Sequence, residues 1–124
     1  MTARRCVLAA ALALALAVVL GAFGAHALRA RLAPDALATY LTAVQYHFWH
    51  ALGLMAVGIL MAQRPAARTL AVAAWLLLGG LLLFSGSLYL LAVTGERWLG
   101  AVTPLGGGAF IAAWLLVAWT ALKR

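Results

Sequence analysis

The chain has 124 residues, 68% of them hydrophobic, with nine basic and two acidic side chains and a net charge of +7. A soluble domain carries about a quarter charged residues, so the composition excludes one and points to a membrane protein. The cations flank apolar stretches instead of clustering as phosphate neutralisation along a duplex requires, which excludes nucleic acid as a partner.

Four apolar stretches can cross a bilayer core of roughly 30 Å, which takes about 20 helical residues. They are Cys6–Leu28, Leu41–Ala62, Thr69–Val93 and Pro104–Leu122, and none contains a charge. Lipid offers the backbone no hydrogen-bond partner, so each must be a helix. The predicted fold is all-α and polytopic. The connections 29–40, 63–68 and 94–103 are short, which makes successive helices antiparallel neighbours in an up-down-up-down four-helix bundle.

The first stretch, preceded by two arginines and holding an apolar core and then Ala25-His26-Ala27, has the outline of a secretory signal. Its apolar run exceeds the usual core of about 7 to 15 residues, and Phe23, Gly21 and Gly24 suit helix packing, so it reads as a retained span. Cys6, the single cysteine, has no disulfide partner in the chain and is read as packing. In the connection that follows, Pro34 and Asp35 suit the first turn of a helix, so the second helix has an interfacial start at 34–40.

The second stretch contains TAVQYHFWHALGL at 42–54. At 100° per residue with Gln45 as zero, Tyr46 falls at about 100°, His50 at about 140° and His47 at about 200°. Leu41, Phe48, Leu52, Met55 and Ile59 occupy the opposite arc and face lipid. The arc containing Gln45, Tyr46, His47 and His50 is expected to point into the bundle, since hydrocarbon offers polar groups no partner. With His26 near the adjoining end of the first helix, three histidines belong to one half of the bundle. They are open to three readings: a metal or haem site on His26, His47 and His50, a relay for protons or solutes, or a packing network in which Ser85, Ser87 and Tyr89 are further partners. The last is preferred, and no cofactor is expected.

On the third helix Trp75, Gly79, Leu82, Gly86, Tyr89 and Val93 recur at spacings of four and three, an expected packing seam whose small residues let backbones approach. The fourth helix is expected to start at Thr103-Pro104, as N-cap and first helical residue. Gly106, Gly107 and Gly108 follow. Each costs about 1 kcal/mol relative to alanine, so the triplet implies a close helix approach or backbone exposed to a ligand.

Arg4, Arg5, Arg64, Arg68, Lys123 and Arg124 lie on one side of the spans, against Arg29, Arg31 and Arg97 on the other. That bias places both termini in the cytoplasm. No nucleophile, base and orienting group occur together and no phosphate loop or CxxC is present, so catalysis is not expected.

GAFGAHAL at 21–28, TAVQYHFWHALGL at 42–54, SGSLYLLAVTG at 85–95 and TPLGGGAFIAAW at 103–114 together resemble the YgdD-like family of small bacterial inner-membrane proteins. The transmembrane protein 256 group of eukaryotes is similar to it. The resemblance covers about Val18 to Trp119 and implies a four-helix membrane protein of unknown function, with no active residues to carry over. The expected role is an accessory or scaffold protein among membrane lipids, packing with itself or with a partner membrane protein. The alternatives are a metal-, haem- or small-ligand-binding protein using His26, His47 and His50, or a small transporter component.

Overall fold

The computed structural model describes residues 1–123; Arg124, counted above with the basic side, lies outside them. Among the described residues the protein is all-α, with four helices long and apolar enough to span a membrane: α1 (Ala3–Leu28), α2 (Pro34–Gln63), α3 (Arg68–Thr94) and α4 (Leu99–Leu122). They run up-down-up-down. The last five residues of α1, Gly24–Leu28, and residues Leu81–Ser85 within α3 are wound as π-helical turns.

The helix starts follow local chemistry. Thr2 caps α1, its hydroxyl accepting from the Arg5 N–H at 3.3 Å. Pro34 opens α2 with Asp35 in its first turn, where a carboxylate meets the positive end of the helix dipole. At the other end of α3, Gly95 takes φ 72°, a left-handed conformation suited to glycine, and its N–H closes the helix onto the Leu91 carbonyl.

The start of α4 is a correction. The helix begins at Leu99, ahead of the expected Thr103-Pro104. The N–H groups of Leu99, Gly100 and Ala101 donate to the carbonyls of Glu96, Arg97 and Trp98, so the turn itself nucleates the helix. Pro104 is then internal. It withholds a bond only from the carbonyl of Gly100, on an exposed residue in the first turn, which is why the helix tolerates it. Thr103 caps nothing; its hydroxyl meets that of Ser87 on α3 at 2.6 Å.

The core runs along α2, with α1 on one side and α3 and α4 on the other. Leu54, Val57, Leu70, Ala73, Ala74 and Leu77 are sealed inside it. Outward positions such as Leu8, Leu12, Val19, Leu82, Leu105 and Ile111 are more than half exposed. Apolar residues cover the outside as well as the inside, the pattern of a bundle surrounded by lipid.

The packing seams differ from those expected. On α1 the buried residues before its last one, Leu28, are Cys6, Ala10, Ala17 and Gly24, a row of small residues against α2. Gly21 and Gly24 belong to that row, where a β-carbon would press on Val44 and Tyr40 respectively. On α3 the expected seam is corrected: Trp75, Leu82 and Val93 point outward, and a β-carbon on Gly79 or Gly86 would meet nothing within 4 Å. Gly80 makes the contact instead, against the Phe110 ring. Of the triplet on α4, Gly106 lies on the backbone of Phe84, Gly107 makes ordinary contact with the Phe84 ring, and Gly108 faces open space. Phe84 belongs to the π turn of α3, so the extra residue wound into that turn faces the one glycine that accommodates it.

Candidate functional site

The polar side chains of the spans act across helix boundaries. Tyr40 of α2 donates its hydroxyl to the Leu20 carbonyl of α1 at 2.6 Å and packs edge-on against Tyr89 of α3. The Tyr89 hydroxyl lies 3.0 Å from Nδ1 of His47 on α2. Hydroxyl and imidazole can each donate or accept, so either neutral tautomer of His47 satisfies this bond. His47 thereby ties α2 to α3.

Further links use the second lone pair of helix carbonyls. Ser85 Oγ donates to the Ala43 carbonyl at 3.0 Å, and Cys6 Sγ to the Leu54 carbonyl at 3.3 Å. Such bonds need close backbones, which Ala43 and the small-residue row of α1 permit. No fully enclosed side-chain nitrogen or oxygen atom among the described residues lacks a partner. The cysteine expected to serve packing is fully buried and hydrogen-bonded.

His50 has different surroundings. Its ring stacks on Phe110 of α4 at 3.5 Å between centroids, with Tyr46 at 5.7 Å and Trp114 at 6.2 Å. Gly53, one turn along, makes room for the Trp114 indole. Nδ1 lies 2.8 Å from the Tyr46 carbonyl and must donate to it, which fixes the neutral tautomer and leaves Nε2 as an acceptor without a protein partner among the described residues.

The expected cluster is therefore only partly assembled. His47 and His50 are buried and Tyr46 is half-buried between them and Phe84. Gln45 and His26 are exposed and point away. The reason is rotational: the buried residues of α2, among them Ala43, His47, His50, Leu54 and Met61, centre near 170° on the helical wheel, almost opposite Gln45. The expectation that the whole arc faces inward is corrected for Gln45, and the joining of His26 to the other histidines is corrected likewise. Among the described residues no three His, Cys, Asp or Glu side chains are placed to hold a metal ion.

The residues that sequence reasoning missed are Tyr40 and Thr103. Tyr40 stands in the interfacial segment, where a tyrosine suits the headgroup level and flags no helix contact; Thr103 has the sequence context of a cap.

The family profile described as Protein of unknown function (DUF423) matches residues 20–107. The UPF0382 membrane protein YwdK of Bacillus subtilis is 48% identical over 87% of this chain and 88% of its own length. The UPF0382 inner membrane protein YgdD of Escherichia coli is 36% identical over 100% of this chain and 95% of its own. A UPF0382 membrane protein of Staphylococcus haemolyticus is 42% identical, covering 91% of each. No solved structure matches the chain. With four membrane-length helices and these relatives, the chain is an integral membrane protein and belongs to the DUF423 family, whose function is unknown.

Proposed function

We propose that the protein is a non-catalytic accessory or scaffold subunit of the bacterial inner membrane, termini in the cytoplasm, that packs with itself or with a larger membrane complex. The observation that carries this reading is Gln45. Its amide lies exposed, roughly 16 Å along α2 from Pro34, on the face turned away from the bundle. An amide in hydrocarbon without a partner is costly, and transmembrane polar residues face protein or water. Trp49, 52% exposed, lies one turn away on the same face and offers a large flat surface for a neighbouring helix. A partner helix on this face gives the amide the hydrogen bonds that α1, α3 and α4 do not.

The test is extraction into native-lipid discs followed by mass measurement. We expect an assembly larger than one chain, reduced to the monomer by Gln45→Leu while the thermal stability of the monomer holds. A strictly monomeric wild-type particle with no co-purifying membrane protein would overturn the reading.

One observation favours a second reading, a small-ligand site: the free Nε2 of His50 in its aromatic surround. On that reading, protein purified without a histidine tag carries a Soret band or near-stoichiometric metal that His50→Ala removes. A colourless, metal-free preparation eliminates metal and haem as that ligand.

A further inference from the structure

We propose that the cation-rich end of the bundle holds one anionic phospholipid, its phosphate in the cleft between the α2–α3 turn and the end of α4. The cleft has a volume of about 660 Å³, and Arg64, Arg68 and Lys123 line it together with Thr69 and Thr120. Both acidic side chains stand at the far end, Asp35 in the first turn of α2 and Glu96 between α3 and α4. Three cations therefore share one hollow with no acidic side chain of the described residues beside them.

The donors that point to phosphate can be separated from those already engaged. Thr120 donates to the Leu116 carbonyl, so in its 2.6 Å bond with Thr69 it is Thr69 that donates. Both hydroxyl protons are occupied, which leaves the cations. Arg64 gives one N–H of Nη1 to the Thr120 carbonyl at 3.2 Å, an anchor that fixes the guanidinium at the wall while its remaining N–H groups stay available. Lys123 rests its ammonium 4.9 Å from the Trp119 ring centre, a pairing suited to the headgroup region.

A second cavity decides between a lipid and a free phosphate. Beside the cleft, sharing Arg64 and Thr120 with it, is a narrow apolar groove of about 90 Å³ lined by Leu60, Leu70, Val117 and Ala121. It runs toward the hydrocarbon side of the cations and fits the first segment of an acyl chain. A soluble anion would use the cleft and leave the groove empty. Basic pockets between transmembrane helices, at the level of the headgroups, are the chemistry that selects anionic lipids. This inference stands independently of the association through Gln45.

The experiment is native mass spectrometry of the full chain released from mild detergent, after exchange into phosphatidylglycerol or cardiolipin and, separately, into phosphatidylcholine. We expect one anionic lipid retained per chain at least tenfold more than phosphatidylcholine. Arg68→Gln combined with Lys123→Gln, whose side chains anchor no helix, is expected to reduce retention roughly tenfold or more. Arg29→Gln with Arg31→Gln, at the other end, leaves it unchanged. Equal retention of both lipid classes overturns the proposal, as does indifference to the Arg68 and Lys123 changes. Displacement of the lipid by millimolar inorganic phosphate overturns the lipid assignment in favour of a free-anion site.

Discussion

Replacing Gly106 by alanine is expected to destabilise the bundle by about 3 kcal/mol or more, at the upper end of what overpacking produces. A β-carbon there would stand 2.7 Å from Cβ and 2.8 Å from Cα of Phe84, closer than such atoms approach. The obstacle is backbone in the π turn of α3, so no side-chain rotation relieves it. Helices α3 and α4 must separate, and the stacking of Phe110 on His50 and its contact with Gly80 separate with them. Gly108→Ala and Gly79→Ala are the matched controls. Both sites are open, so each change should be neutral or stabilising by up to about 1 kcal/mol through helix propensity. Unfolding midpoints in mild detergent separate the three variants; equal midpoints for Gly106→Ala and Gly108→Ala would remove the close approach of α4 to α3.

Tyr89→Phe and His47→Leu are expected to cost about 1 to 2 kcal/mol each, and the double variant clearly less than their sum. Interhelical bonds in membranes contribute about 0.6 kcal/mol on average and up to about 1.7. The single changes add to that the cost of a buried group left without a partner. Removing the Tyr89 hydroxyl deprives His47 of its partner at Nδ1, and removing the imidazole leaves the hydroxyl without that partner. The double variant leaves neither group behind. A double-mutant cycle in detergent or bicelles reads the coupling directly, with at least about 0.5 kcal/mol expected. Strict additivity would mean that the bond at 3.0 Å does not form in the membrane. Tyr40, which bonds the Leu20 carbonyl independently, keeps α1 on α2 in every variant, so the cycle measures a local link in a bundle that remains assembled.

The expectation of self-association and that of the polar network concern opposite faces of one helix. At the inner face His47 is bonded to Tyr89 of α3, and His50 to the Tyr46 carbonyl of its own helix while stacking on Phe110 of α4; Gln45 is turned the other way. One stretch of α2 thus serves the inside of the bundle and offers an unpaired amide outside it.

The sequence by itself determined that there are four spans, that they are helices and that neighbours in the chain run antiparallel. Each follows from the cost of an unpaired backbone group in lipid and from the short connections, and neither depends on which residues touch. It also determined that His47 and His50 belong inside, since both lie on the half of α2 opposite its purely apolar arc. Only the tertiary structure decided which glycines matter. Gly79 and Gly86 have the spacing of a seam and face outward, whereas Cys6, Ala10 and Ala17 make the seam on α1 with less conspicuous residues. Only the structure, again, showed that Gln45 and His26 look away from the network and that Thr103 bridges to Ser87. The reason is physical: in a bundle surrounded by lipid the outer face is as apolar as the inner, so helix rotation leaves little trace in hydropathy and is set instead by where two backbones come close enough to touch.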